Sequence, residues 1–150
     1  MEDKLTVEFK KSFDSFYNIK NLSDEKIINQ IRSDGIHILI DLAGHTIDNN
    51  LDIFYYNPAP VQISWLGYLG TTGLKEIRYK IGDPYIYPKE FENEFCEKFI
   101  YLPNIWSNFT VTKSENITKP EFREINDSIV FGCFVTLRKI NNNVITLWSK

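Results

Sequence analysis

The sequence predicts an α/β fold built on a doubly wound parallel sheet, and three observations carry that expectation. The run IHILIDL, 36–42, is rich in β-branched residues and almost continuously apolar, the pattern of a strand buried on both faces. Strand-like runs alternate with helix-like segments from about residue 23 to 102. A chain of 150 residues with 43% hydrophobic and 15% aromatic content also suffices for a packed core.

Taken in order, residues 6–14 read as the tail of a helix and SFYNI, 15–19, as a short strand. Ser23 is a good N-cap, Asp24 and Glu25 suit a first turn, and Ile27, Ile28 and Ile31 share one helical face before Gly35 ends it. The strand 36–42 follows, then a short helix over 49–56 and a strand in VQISWLG, 61–67. Further strands are expected at 79–82 and 98–102, with a helix over 89–97 between them. Residues 107–127 turn polar and read as a linker. Beyond it SIVFGCFVTLRKI, 128–140, reads as a fresh buried strand, and Asn141 as the N-cap of a closing helix. The first and last residues fall inside helix-like runs, so missing sequence is expected on both sides.

A net charge of -3 with scattered Lys and Arg excludes a nucleic-acid or anionic-membrane surface, since both need clustered cations. No apolar run approaches the roughly 20 residues that span a bilayer, and MEDKLTVEFKKSFD lacks the layout of a signal peptide, so a cytoplasmic setting is expected. Cys96 and Cys133, far apart and without a CxxC pattern, read as reduced core thiols rather than metal ligands. The sequons at Asn21, Asn108, Asn116 and Asn126 read as accidents of an Asn-rich chain.

Ligands of open α/β sheets bind at the carboxyl ends of strands, and suggestive residues stand at three such ends. In DLAGHT, Asp41 has the position of a metal or phosphoryl site but lacks companion carboxylates. There Gly44 permits a sharp turn that leaves His45 at the rim, either as a group titrating near neutrality or as a loop residue capping a neighbouring element. His37, within the strand, reads as structural. In WLGYLGTTG, the glycines Gly67, Gly70 and Gly73 permit positive φ, and exposed amides with the Thr71 and Thr72 hydroxyls suit a polyhydroxy ligand or a phosphate. A tight packing turn is an equal reading, because neither a P-loop lysine nor a dinucleotide fingerprint is present. In TLRKI, Lys139 precedes a helix start, where ammonium and helix dipole act together on an anion, or it is solvated surface.

Three segments in order, GIHILIDLAGHT, NPAPVQISWLGYLGTTG and IVFGCFVTLRKINNNVITLW, resemble the catalytic region of the protein O-linked N-acetylglucosamine transferases and their Spindly-type relatives. The resemblance runs from about Ser15 to the C-terminus and is weakest in the linker. It implies a GT-B architecture of paired Rossmann-like domains, with 1–106 the later part of the N-terminal catalytic domain, 107–127 a linker and 128–150 the start of the nucleotide-binding domain. It implies transfer of N-acetylglucosamine from UDP-N-acetylglucosamine to Ser or Thr hydroxyls of an acceptor protein, with inversion and with neither metal nor cofactor. By the same resemblance Lys139 contacts the UDP diphosphate, as fixed charge for a departing group requires, and Thr136 lies near the nucleotide. Leu66 and Gly67 match the backbone lining the sugar pocket, to which Gly70, Thr71, Thr72 and His45 are added as substrate-binding candidates.

This sequence departs from the family pattern at Leu69, usually proline, at Asn57, usually arginine, and at Val135 and Thr136, usually amides. Ser15 falls where some relatives carry an active-site histidine, and the family's HxTTGxD motif would lie beyond Lys150. A non-catalytic relative, binding nucleotide weakly or serving as an interaction module, is the alternative these departures motivate.

Overall fold

The computed structural model describes residues 4–107 and 129–150. The chain divides into two units, Met1–Thr110 and Val111–Lys150. In the first, α1 (Lys4–Lys11) and α2 (Asp24–Ser33) precede β1 (Ile38–Asp41), α3 (Leu51–Tyr55), β2 (Val61–Ser64), β3 (Tyr79–Gly82), a 3-10 helix (Lys89–Glu94) and β4 (Lys98–Tyr101). In the second, a 3-10 turn (Leu137–Lys139) leads into α4 (Asn142–Trp148).

The four strands form one parallel sheet in the order β1-β2-β3-β4. The α/β parallel fold expected from the sequence is therefore present, with the described strands added in one direction. Parallel neighbours need long crossovers. The connections 42–60, 65–78 and 83–97 provide them, using one short α-helix and one 3-10 helix.

The core has two clusters on either side of α3. Ile27 and Ile28 of α2 meet Ile53, with Ile19 and Ile31 half-buried beside them. Leu51 and Phe54 meet Ile77, with Leu39 and Leu74 half-buried at the edge. The apolar face of α2 is thus the one its sequence announces, and Gly35, at φ +64, ends the helix as expected. Gln62, fully buried in β2, ties the layers together. Its Nε2 donates to the Phe54 carbonyl at 2.9 Å and to the Glu76 carbonyl at 3.1 Å.

Several expectations are corrected. Residues 15–19 form no strand, because no neighbouring strand among the described residues supplies a ladder, and Tyr17 instead engages Gln30 and Asp34 of the α2 end. Strand 36–42 contracts to Ile38–Asp41 and is not buried on both faces. It is the sheet edge, with Ile38 and Ile40 56% and 41% exposed. The helix expected over 89–97 is a 3-10 helix ending at Glu94. Its first residue follows Pro88, which donates no amide. Residues 129–135 are exposed and form no strand, for want of a partner among the described residues of their unit. Cys96 and Cys133 are free thiols as expected, but exposed rather than core. In α4 the Asn141 cap holds, its side chain accepting from the Asn143 and Val144 amides. The linker reading, Ser107 apart, lies outside the described residues.

Candidate functional site

Register builds the site. Asp41, Ser64 and Lys80 are successive partners across β1, β2 and β3, so their side chains line up on one face at the carboxyl end of the sheet. All three are buried. Ser64 Oγ donates to Asp41 Oδ2 at 3.3 Å, and Lys80 Nζ donates to Ser64 Oγ at 3.1 Å. Asp41 also accepts the amides of Ala43 and Gly44, which folds the DLAGHT loop over the strand end. Its acceptor capacity is thereby spent on the protein itself. No group of three His, Cys, Asp or Glu that could hold a metal occurs among the described residues.

The turn after β2 is pinned along its length. The Trp65 amide donates to the Asp41 carbonyl, and its indole Nε1 to the Trp106 carbonyl at 3.0 Å. The Trp106 amide in turn donates to Asp83 Oδ2 at 2.7 Å. Leu66 carries φ +69, a left-handed conformation that side chains rarely adopt. Gly67 is required by proximity: a Cβ there would lie 1.8 Å from the Leu42 carbonyl oxygen. Lys80 Nζ holds the centre of the turn, donating to the Tyr68 carbonyl at 2.9 Å. Of the glycines expected to use positive φ, Gly73 does so at +73, whereas Gly67 and Gly70 keep ordinary backbone.

The closing GTTG segment rests on Glu97, which is 2% exposed. Thr71 Oγ1 donates to Glu97 Oε2 at 2.7 Å, and the Thr72 amide donates to Oε1 at 2.6 Å, joined there by the Thr72 hydroxyl. Both hydroxyls and the Thr72 amide are therefore turned to the protein rather than offered to a ligand, a correction to the expectation of free donors. Burial pushes the Glu97 carboxyl up, but the hydrogen bonds from Thr72 and Thr71 outweigh it and hold it below the usual range. Burial also lowers the Lys80 ammonium from its ordinary value, with the charges of Glu97 and Asp41 offsetting part of that.

His45 is exposed at the rim, and because a carbonyl only accepts, its Nε2 carries the proton donated to the Thr72 carbonyl at 2.9 Å. Its ring meets Tyr68 edge-on at 5.3 Å. The Nε2 contact ties the DLAGHT loop to the GTTG turn. The His37 main-chain carbonyl accepts the Val61 amide at 3.1 Å. Beside α2 a cavity of about 740 Å³ is lined by Phe16, Tyr17, Asn18, Asp24 and Asn49 among others.

In the second unit, Thr136 and Lys139 are exposed on the 3-10 turn ahead of α4. The Asn141 side chain already occupies two of the first amides of that helix. The first unit thus brings together His45, Leu66, Gly67, Gly70, Thr71 and Thr72. Glu97, Lys80 and Trp106 escaped the sequence reading. For Lys80 a signal exists, since YKIG sets a lysine at a buried position of a strand.

The model of glycosyl transferase family 41 matches residues 3–116. The chain belongs to glycosyl transferase family 41. Relatives within it include a protein of Eustoma exaltatum subsp. russellianum described as a probable UDP-N-acetylglucosamine–peptide N-acetylglucosaminyltransferase SPINDLY, 35% identical over 89% of this chain and 14% of its own length. The UDP-N-acetylglucosamine–peptide N-acetylglucosaminyltransferase of Caenorhabditis elegans is 42% identical over 53% of this chain and 7% of its own. Among solved structures, a mutant of the Thermobaculum terrenum O-GlcNAc transferase superposes with a TM-score of 0.68 at 31% identity, covering 71% of this chain and 20% of that one. The family 41 chain therefore spans about a seventh of the first of these relatives and a fifth of the solved one. No helix among the described residues is long and apolar enough to cross a membrane.

Proposed function

We propose that this chain is part of the catalytic region of a protein O-GlcNAc transferase, which moves N-acetylglucosamine from UDP-N-acetylglucosamine to Ser or Thr hydroxyls with inversion and without a metal. The observation that carries it is the family 41 match over 3–116, whose relatives are described as transferases of that class. Residues to about 106 belong to the N-terminal catalytic domain, and those from about Ser128 open the nucleotide-binding domain. The setting is cytoplasmic, and the donor and an acceptor protein are the partners.

The roles follow from the chemistry. Loss of UDP leaves negative charge on the diphosphate, which a fixed cation stabilises more in the transition state than in the ground state. Lys139 supplies that charge, with Thr136 beside the nucleotide. The turn 65–73 supplies a rigid wall. Its Leu66–Gly67 backbone and Gly70 shape the sugar side, Thr71 and Thr72 fix that backbone through Glu97, and His45 braces it from the rim.

The test uses the complete gene product with its flanking sequence. Tetratricopeptide repeats upstream and an HxTTGxD segment downstream are expected, together with transfer from UDP-N-acetylglucosamine to a serine peptide that survives chelation by EDTA. Absence of both flanks and of transfer refutes the proposal, and transfer abolished by EDTA refutes its metal-free form.

A further inference from the structure

We propose that Glu97 is a positioning residue for the donor sugar, acting through Thr71 and Thr72 to set the backbone of the GTTG turn. This rests on the transferase reading above, in which that turn walls the sugar pocket. Both carboxylate oxygens are committed to the turn, Oε2 to the Thr71 hydroxyl and Oε1 to the Thr72 amide and hydroxyl. The Thr71 hydroxyl oxygen in turn accepts the Gly73 amide at 3.2 Å, and the Thr72 hydroxyl oxygen accepts the Leu74 amide at 3.3 Å. One buried anion therefore organises four consecutive residues, 71–74. It enters from the connection before β4, whereas the turn follows β2, so the link is tertiary and not local.

A carboxylate suits this place because every group facing it is a donor, and an ionised carboxylate is acceptor-only. An amide of the same shape keeps one acceptor oxygen, for the Thr72 amide and hydroxyl, but loses the negative charge and the acceptor that the Thr71 hydroxyl donates to. The other titratable groups around Glu97 are Lys80, whose charge favours the anion, Tyr87, whose phenol is pushed up to about 12 by burial and by Glu97 and Asp83, and Cys96 beside it in the chain. Lys80 holds the Tyr68 carbonyl three residues ahead of Thr71, so a cation and an anion grip successive parts of one turn.

The test has two arms. In the 150-residue chain, E97Q is expected to speed exchange of the Thr72 amide by about tenfold or more while the β2 and β3 amides keep their rates. Unchanged Thr72 exchange overturns the proposal. Should E97Q unfold the sheet, Thr71→Val removes the donor to Oε2 without touching the bond from the Thr72 amide to Oε1, and is expected to speed exchange of the Thr72 amide about threefold or more; an unchanged rate there overturns it equally. In the complete transferase, E97Q is expected to raise KM for UDP-N-acetylglucosamine about tenfold with kcat within about threefold, and to leave KM for the acceptor peptide unchanged. A loosened turn with unaltered donor KM overturns the positioning role and leaves the transferase reading standing. A wild-type protein that transfers no sugar overturns the proposal together with that reading, while the exchange arm still reports on the turn.

Discussion

At the residue scale, shape and charge in the turn rest on single atoms. A Cβ at Gly67 would stand 1.8 Å from the Leu42 carbonyl, and backbone on both sides leaves little room to yield. Gly67→Ala is expected to cost about 1–3 kcal/mol, read as a lowered urea midpoint with the slope unchanged. Charge gives a pH dependence of opposite sign at two buried groups. The folded value of Glu97 lies below the ordinary 4.5, so its contribution is full above about 4.5 and is lost as pH falls through the lower folded value. Tyr87 is raised from 10.0 to about 12, so its contribution is present below 10 and is lost as pH rises through that window. Urea midpoints measured across pH should therefore fall at both extremes. Glu97→Gln should flatten the acid limb and Tyr87→Phe the alkaline one; limbs unaltered by these changes would assign the dependence to other groups.

At the element scale, the connection before β3 and the edge strand β1 carry unequal weight. Ile77 is fully buried against Leu51 and Phe54, and Ile77→Ala is expected to cost about 2–5 kcal/mol. Ile40 on β1 is 41% exposed, and Ile40→Ser should change stability by no more than about 0.5 kcal/mol. Thermal or urea unfolding of both variants checks the contrast, and equal losses would mean that β1 is covered in solution. The sequence could not separate these cases. An unbroken apolar run announces a strand with apolar side chains on both faces, but whether a neighbour covers each face is a property of tertiary structure. The 3-10 helix at 89–94 is not legible for a related reason, since acidic and aromatic residues in 89–97 permit a helix of either pitch and Pro88 with the short span decides it.

At the scale of the whole molecule, β3 and the α2 face were legible because they depend on local periodicity, and the WLGYLGTTG turn because its glycines are local too. The partners of that turn were not legible. Lys80, Glu97 and Trp106 lie 12 to 41 residues from the atoms they hold, and only the tertiary fold brings them there. Function depends on still more distant parts. Under the proposed mechanism, Lys139→Met in the complete transferase is expected to lower kcat by about a hundredfold or more without a change in thermal midpoint, and near-normal turnover would remove Lys139 from the diphosphate site. Within the first unit, the outward row of Ile36, Ile38, Ile40 and Leu42 has a practical consequence. A fluorescent dye that reports apolar surface will light up on the fully native unit. Dye binding, which ordinarily signals a loosened core, will here be a property of an intact sheet, and near-ultraviolet circular dichroism must decide whether the packing is lost.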